Sequence, residues 1–181
     1  MAKVLVPLAE GCEEIEAVTI IDLLRRAGID VVVAGLKAGI VTASRGVQLV
    51  PDVTLDVALQ HDYDMVVLPG GMPGAANLKD DARMIALLKK MAASGQYTAA
   101  ICAAPMVLAE AGLLDGKQAT SYPGFLDAIP GVTLSSAAVV QDGKVLTSRG
   151  PGTAMDFALA LIEVLSGAEK RQQVESALLR P

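Results

Sequence analysis

One residue, Cys102, combines a reactive side chain with a position that would expose it. In Ala99–Pro105 an apolar strand runs directly into a predicted helix at the cysteine, and its neighbours are small. A nucleophile elbow needs small neighbours, because a strained turn exposes a side chain only where nothing crowds it. A helix beginning at Ala103 would also direct N–H groups at the sulfur and lower the thiol pKa well below about 8.5. The alternative is a buried cysteine that packs as a small hydrophobe.

A second candidate, Glu16, lies on the first predicted helix, Glu13–Ala27. Winding that helix at about 100° per residue places Glu16 within the apolar arc that must face the core. Because burial raises the pKa of a carboxyl, a neutral Glu16 would donate a hydrogen bond to the Cys102 thiolate and move protons. The alternative is a glutamate that only complements the helix dipole, a role that suits Glu13 and Glu14 better.

Two turn-rich loops follow predicted strands. The loop Pro69–Gly74 carries glycines that let backbone amides approach a ligand or a developing oxyanion, and a plain tight turn is the alternative. In the second loop, Ser148–Thr153, Arg149 either pairs with an anion or lies in solvent. Neither loop contains a phosphate-binding or a full dinucleotide-binding fingerprint.

The single histidine, His61, precedes the predicted strand Met65–Leu68, so we expect it at the opposite end of the sheet from Cys102. A Cys–His protease or amidotransferase dyad therefore has no histidine to use. One histidine and two cysteines form no ligand cluster, and we expect no metal. Cys12, in the loop after the first strand, is expected to be structural rather than a resolving thiol.

Composition narrows the class of protein. The net charge is −5 and no run of Lys or Arg occurs, which disfavours nucleic-acid binding because that needs a basic face. No apolar run approaches the roughly 18 residues of a membrane span, so we expect no membrane association. The segment Met1–Pro7 lacks the features of a signal peptide, and two cysteines form no disulfide framework. We therefore expect a cytoplasmic protein with a reduced thiol.

The fold prediction rests on length and alternation. The 181 residues fit one domain, 1–181. Hydrophobic residues make up 52% of the chain and aromatic residues only 3%, a composition that indicates an aliphatic core suited to a parallel sheet. Strands and helices alternate, which predicts a doubly wound α/β sandwich with a few antiparallel additions and a site beyond the carboxyl ends of its strands. The predicted strands are Lys3–Leu8, Asp30–Gly35, Ile40–Ala43, Val47–Val50, Met65–Leu68, Thr98–Ile101, Gln118–Ser121, Val132–Ser136, Ala138–Gln141 and Lys144–Thr147. The predicted helices are Glu13–Ala27, Asp81–Ser94, Ala103–Ala111, Thr153–Leu165 and Ala168–Leu178.

The outer face of the first helix carries two aliphatic residues, Ile15 and Val18, among the charges of Asp22, Arg25 and Arg26. Two apolar residues at i and i+3 on a charged face suggest a subunit contact. The alternative is a pair of isolated surface hydrophobics.

Four segments together resemble the ThiJ/PfpI superfamily, on the branch of the parkinsonism-associated protein deglycase and its bacterial relatives. The segments are Gly11–Glu16, Val67–Gly71, Ala100–Pro105 and Leu146–Thr153. The resemblance implies a flavodoxin-like fold, a homodimer formed through the first helix, and no cofactor or metal. It aligns Cys102 with the easily oxidised nucleophile of the family and Glu16 with its protonated partner.

The resemblance also implies supporting roles. Gly71 and Ala103 align with backbone donors that line the pocket, and Arg45 and Arg149 match arginines near the pocket and the dimer contact. The pocket set as a whole is Gly70, Gly71, Ala103, Tyr122, Gly150 and Pro151.

Two departures from the family matter. Ala103 stands where the peptidases have histidine, which argues against proteolysis. Tyr122 stands where the human-like branch has a pocket histidine. Because the ordinary pKa of a tyrosine is about 10, such a side chain does not act as a base at neutral pH.

Two functions fit these residues. The first is a cofactor-free glyoxalase or protein deglycase that removes methylglyoxal-type carbonyls during stress, with Cys102 attacking the aldehyde and Glu16 moving the proton. The second is a non-enzymatic sensor of oxidative stress, or a redox-regulated chaperone, in which Cys102 becomes a sulfinate. Both hypotheses need the same two residues, so the sequence alone leaves them open.

Overall fold

Seven strands form one sheet, and the computed structural model describes residues 1–180 of the chain. Across this sheet the strands lie in the order Val139–Asp142, Val145–Ser148, Tyr97–Ile101, Met65–Leu68, Lys3–Leu8, Asp30–Gly35 and Val53–Thr54, and only the first pairs antiparallel with its neighbour. The prediction of a doubly wound, mainly parallel sheet flanked by helices, with small antiparallel additions, is confirmed. The strands are β1 Lys3–Leu8, β2 Asp30–Gly35, β3 Val41–Thr42, β4 Gln48–Leu49, β5 Val53–Thr54, β6 Met65–Leu68, β7 Tyr97–Ile101, β8 Gln118–Ala119, β9 Thr133–Leu134, β10 Val139–Asp142 and β11 Val145–Ser148. The helices are α1 Glu14–Arg26, α2 Leu55–Ala58, α3 Gly74–Asp80, α4 Ala82–Ala93, α5 Pro105–Glu110, α6 Ala154–Ser166 and α7 Ala168–Ala177.

The sheet order creates the crevice in which the candidate site lies. The chain passes from β1 to β2 on one side, and after β5 it returns to the other side of β1 as β6. Ligands of open α/β sheets bind beyond the carboxyl ends of the strands at such a reversal of direction. The loops that follow β1, β6 and β7 therefore meet at this point.

Helix α1 begins and ends where its residue types favour a terminus. The side chain of Glu13 caps the helix by accepting a hydrogen bond of 2.8 Å from the N–H of Glu16. Arg25 and Arg26 occupy the last turn, where a positive charge complements the helix dipole. Gly28 follows with φ 77°, a conformation that glycine adopts without strain.

Several elements differ from the sequence prediction. The structure adds β5, α2 and α3, because short elements leave little periodicity to read. The helix after the cysteine begins at Pro105 rather than Ala103, since residues 102–104 form a turn. The strands predicted at Gln118–Ser121 and Val132–Ser136 shorten to β8 and β9, which form a small parallel pair outside the main sheet. The strands predicted at Ile40–Ala43 and Val47–Val50 are present in shorter form as β3 and β4, which pair antiparallel.

The core is aliphatic, as the composition indicated. Phe157 is the one aromatic residue among the largest fully buried side chains, which are otherwise Leu, Ile and Met. Among residues 1–180, no helix has the length and apolar character needed to cross a membrane.

Candidate active site

The predicted elbow is present at Cys102. Its φ is 64°, a left-handed conformation that is uncommon for a residue with a Cβ. Hydrogen bonds on both sides hold this strained turn: the N–H of Cys102 donates to the Ser148 carbonyl (3.0 Å), and its own carbonyl accepts from the N–H of Tyr122 (2.8 Å). The surrounding strands thus impose the conformation that directs the side chain into the crevice.

Gly70 leaves the space in which the thiol and the carboxyl meet. A Cβ at this position would lie 2.7 Å from Cβ of Cys102 and 2.8 Å from Oε2 of Glu16. No side chain fits there without displacing both groups. The N–H of Gly70 also donates a 2.8 Å hydrogen bond to Oε2 of Glu16, so this glycine positions the carboxyl as well.

Glu16 is fully buried, with 0% of its surface exposed, which confirms its place on the core face of α1. Burial raises its pKa from 4.5 to about 7, although hydrogen bonds with Gly70 and Cys102 oppose the increase. Among the described residues, no N–H or O–H group donates to its other oxygen, Oε1. An unpaired buried oxygen disfavours the carboxylate, so the expectation of a raised pKa is confirmed.

The expectation of a depressed thiol pKa is wrong. Burial, and next the negative charge of Glu16, raise the pKa of Cys102 to about 12. Backbone N–H groups do lower the pKa of the thiol, but the cost of placing a second negative charge beside a buried carboxylate is larger. Only 8% of the residue is exposed, so water compensates little of that cost.

The two groups nevertheless form a pair that can make a thiolate. With values of about 7 for Glu16 and about 12 for Cys102, the pair holds one proton over the intervening pH range. Transfer of that proton from the sulfur to the carboxyl produces a thiolate beside a neutral acid. In this arrangement a thiolate would form by proton transfer to Glu16, rather than through a low pKa of the thiol alone.

Two backbone amides stabilise negative charge on the sulfur. Hydrogen bonds from the N–H groups of Gly71 and Ala103 lower the pKa of Cys102, against the larger effects of burial and of Glu16. Gly71 has φ 86°, and a Cβ there would lie 2.7 Å from the carbonyl oxygen of Gly11. The donors thus come from the turn after β6 and from the turn at Cys102, and not from the first turn of α5.

Tyr122 and the loop after β11 lie at the rim of this crevice. Tyr122 is 50% exposed, and its ring approaches Gly150 and packs edge-on against Phe125. Gly150 is buried beside Thr153, whose hydroxyl accepts from the N–H of Gly150, and Pro151 begins a short 3-10 turn. Gly150 therefore contacts the site indirectly: it lies beside the ring of Tyr122, and the backbone N–H of Tyr122 donates to the carbonyl of Cys102.

The two arginines differ in their surroundings. Arg149 is half-buried, and its guanidinium donates to the carbonyl of Ser136 (3.2 Å) beside a cavity of about 380 Å³ that Asp127 also lines. The side chain of Arg45 is exposed, whereas its backbone N–H is bonded to a carboxyl oxygen of Glu14 (2.7 Å).

The interpretation of Glu14 as a residue that complements the helix dipole is incomplete. Glu14 is buried and accepts a hydrogen bond from the hydroxyl of Ser44 (2.9 Å) in addition to the one from Arg45. Burial opposes its ionisation, but the hydrogen bonds outweigh that effect, so its pKa lies below the ordinary value. Nothing in the sequence pattern signals this contact, because its partners are about 30 residues away.

The remaining candidates lie where the sequence placed them. Ile15 and Val18 are 56% and 47% exposed on the outer face of α1. His61 is exposed before β6, at the other end of the sheet from Cys102.

Cys12 is buried behind the loop of Gly71, and burial raises its pKa to about 12. No group of three His, Cys, Asp or Glu side chains within residues 1–180 is arranged to hold a metal ion.

The fold and this site define an α/β protein centred on a cysteine at an elbow. A family model, the DJ-1/PfpI family, matches residues 2–164 of the chain. The chain therefore belongs to the DJ-1/PfpI family, and the resemblance inferred from the four sequence segments is confirmed.

Individual relatives agree with this assignment. Protein DJ-1 homolog B of Arabidopsis thaliana is 46% identical over 98% of this chain, but the chain spans 41% of that protein's length. The glutathione-independent glyoxalase DJR-1.2 of Caenorhabditis elegans is 36% identical over 99% of the chain and 94% of the relative. A solved structure of oxidized DJ-1 from Toxoplasma gondii is 46% identical, covers 99% of this chain and 98% of its own, and superposes with a TM-score of 0.95.

Proposed function

We propose that the chain is a cofactor-free glyoxalase or protein deglycase that acts on methylglyoxal-type carbonyls and protects against their accumulation. The observation that carries this proposal is the buried contact between Cys102 and Glu16, an acid whose pKa of about 7 suits proton transfer at neutral pH. The C. elegans relative named a glutathione-independent glyoxalase supports the same reaction class.

The first step makes a bond from sulfur to carbon. Glu16 accepts the thiol proton, and the Cys102 thiolate attacks the aldehyde carbon of methylglyoxal. The aldehyde oxygen gains negative charge and takes the proton back from Glu16, which gives a neutral hemithioacetal. The N–H groups of Gly71 and Ala103, which favour the thiolate, would also stabilise the negative charge that develops beside the sulfur.

The second step moves hydrogen within the bound molecule. Glu16, again a carboxylate, removes the proton from the former aldehyde carbon, and an enediol forms. Reprotonation at the neighbouring carbon gives a thioester of lactate. Water then hydrolyses the thioester to lactate and the free thiol. One methylglyoxal and one water yield one lactic acid. The aldehyde carbon is oxidised and the neighbouring ketone carbon is reduced, so the reaction needs no external redox partner.

A second function, oxidative sensing by Cys102, is favoured by one specific finding. The T. gondii structure that superposes closely on this chain is described as oxidized. In this alternative, peroxide converts the Cys102 thiolate to a sulfinate, whose oxygens accept hydrogen bonds from Glu16 and the nearby amides. A redox-regulated chaperone would use the same modification.

The deciding experiment measures lactate formed from methylglyoxal by the purified wild type and by Cys102→Ser. We expect lactate from the wild type and only the buffer rate from Cys102→Ser. Addition of peroxide, followed by intact-mass measurement, tests the sensor in the same samples. Absence of Cys102-dependent lactate, together with clean addition of two oxygens at Cys102, would replace the enzyme by the sensor.

We also propose a homodimer that uses the outer face of α1, where Ile15 and Val18 are exposed beside the charged pair Arg26 and Asp22. Glycated protein adducts are proposed as further substrates of Cys102. A cytoplasmic location, the absence of a cofactor and a single domain over residues 1–181 remain predictions from the sequence.

A further inference from the structure

The carboxyl group of Glu14 joins two segments of the chain that are distant in sequence. Its oxygens accept from the hydroxyl of Ser44 (2.9 Å) and from the N–H of Arg45 (2.7 Å), in the turn between β3 and β4. The residue is 8% exposed, so these bonds are shielded from water. No step of the proposed reaction uses Glu14, although it lies two residues from Glu16 on the same helix.

The same turn is bonded to the loop that follows β1. The N–H of Ser44 donates to the carbonyl of Cys12 (2.7 Å), and the N–H of Gly11 donates to the carbonyl of Thr42 (2.8 Å). Glu14, on helix α1, thus holds the turn at residues 42–45 against residues 11–12. We call its two hydrogen bonds, from Ser44 and Arg45, the clamp.

The loop at residues 11–13 in turn packs against the donor of the sulfur. The N–H of Glu13 donates to the carbonyl of Gly70 (2.9 Å). A Cβ on Gly71 would lie 2.7 Å from the carbonyl oxygen of Gly11 and 2.8 Å from the carbonyl carbon of Cys12, so the two loops are in direct backbone contact. The N–H of Gly71 is one of the two amides that bond to Cys102.

We propose that Glu14 is a positioning residue for the thiol: by clamping the β3–β4 turn onto residues 11–13, it fixes the Gly71 amide at the sulfur of Cys102. The sequence of contacts runs from Glu14 to Ser44, from Ser44 to Cys12, and from Cys12 to Gly71. The proposal rests on Cys102 being the reactive residue, but it does not depend on which reaction Cys102 performs.

A positioning role and a merely electrostatic role predict opposite results. Glu14 carries a negative charge near the site, and removal of that charge alone would ease formation of a thiolate and accelerate its reactions. Loss of the clamp would instead free the Gly71 amide from the sulfur and slow them. The amide of Gln at position 14 can still accept from the N–H of Arg45 and donate to the Ser44 hydroxyl, so Glu14→Gln keeps the clamp without the charge.

The experiment measures the rate at which iodoacetamide alkylates Cys102 at neutral pH, by intact mass, in folded wild type, Glu14→Gln and Glu14→Ala. We expect Glu14→Ala to react about three- to tenfold more slowly, as weakening of one or two hydrogen bonds implies, and Glu14→Gln, which keeps the clamp, to react at the wild-type rate or faster. Hydrogen–deuterium exchange of the peptide around Gly71 should accelerate in Glu14→Ala and stay as in the wild type in Glu14→Gln.

The matched control is Asp62→Ala, which removes an exposed carboxylate that pairs with Lys90 and has no contact with the turn. It should leave the alkylation rate and the exchange at Gly71 unchanged. Faster alkylation in both Glu14 variants, or equal rates in all proteins, would overturn the proposal. If Glu14→Ala does not fold, Ser44→Ala removes one of the two clamp bonds alone, and an unchanged alkylation rate in that variant would also overturn the proposal.

These readouts separate the inference from the proposed function. Alkylation and exchange need no carbonyl turnover, so a wild type that forms no lactate still tests the clamp. Conversely, normal lactate formation with no effect of Glu14→Ala on alkylation would leave the function standing and remove the positioning role.

Discussion

The two cysteines of this chain differ in their partners and not in their burial. Both are buried, and burial raises the pKa of each to about 12. Cys12 is further disfavoured as a thiolate by the charges of Glu14, Glu10 and Glu13. Cys102 has a carboxyl with a pKa of about 7 to take its proton, and two amides that bond to its sulfur. The reactivity that we propose for Cys102 would therefore come from an arranged proton acceptor and donors, and not from exposure of the thiol.

The largest expected effect separates the two thiols directly. Cys102→Ser should abolish both lactate formation and peroxide uptake, whereas Cys12→Ser should retain both, because Cys12 has no acid partner with a raised pKa. Lactate measurement and intact mass on the two variants test this difference. Loss of activity in Cys12→Ser, with its fold unchanged by circular dichroism, would show that Cys12 takes part in the reaction.

The next effect concerns the proton acceptor. Glu16→Gln removes the exchangeable acid, so carbonyl turnover should fall by about 10²–10⁴-fold. Sulfinate formation at Cys102 should survive, because Gln keeps a hydrogen-bond donor and removes the negative charge that raises the pKa of the thiol. Glu16→Leu removes the donor too, so both properties should change. Kinetics with methylglyoxal and mass after peroxide measure the two. Asp62→Asn, which alters an exposed carboxyl paired with Lys90 away from the Cys102 contact, is the control, and wild-type turnover in Glu16→Gln would assign the proton transfer elsewhere.

The burial of Glu16 should also appear in stability as a function of pH. Its pKa is raised from 4.5 to about 7, so the folded protein keeps a proton that the unfolded chain releases between these values. Stability from this group is greatest below pH 4.5 and is lost as the pH rises to about 7, by about 3 kcal/mol. Urea unfolding at a series of pH values should show this decline in the wild type but not in Glu16→Leu. Glu14 has a lowered pKa and acts in the opposite direction, but it is common to both proteins and cancels in the difference. Parallel curves for the two proteins would contradict a buried, neutral Glu16.

The smallest effect concerns the outer face of the helix that carries Glu16. Substitution of both Ile15 and Val18 by Asp should weaken association by at least about tenfold, since it replaces apolar contact by charge repulsion across the proposed dimer. Sedimentation velocity at micromolar concentration measures the change. Val57→Asp alters a valine of similar exposure on α2 and should leave association as in the wild type. A monomeric wild type would remove the dimer.

Much of the fold and part of the site were predictable from local sequence. Clear hydrophobic patterns in the local sequence predict the longer elements, which are the apolar strands β1, β2, β6 and β7 and the helices α1 and α4. The short elements α2, α3 and β5 carry too few residues for a period to emerge. Cys102 and Glu16 were predictable because each stands out within its own segment, a polar residue at a strand end and a carboxyl on an apolar arc.

The sequence by itself determined which residue types stand at the elbow, on the core face of α1 and in the glycine turns. Only the tertiary structure decided what they do to one another. The thiol pKa rises because Glu16 and Cys102, 86 positions apart, are buried against one another across the space left by Gly70, and Coulomb energy depends on distance in space and on the exclusion of water. The same reason applies to Glu14, whose two hydrogen-bond partners come from a turn that no pattern within its own helix reveals.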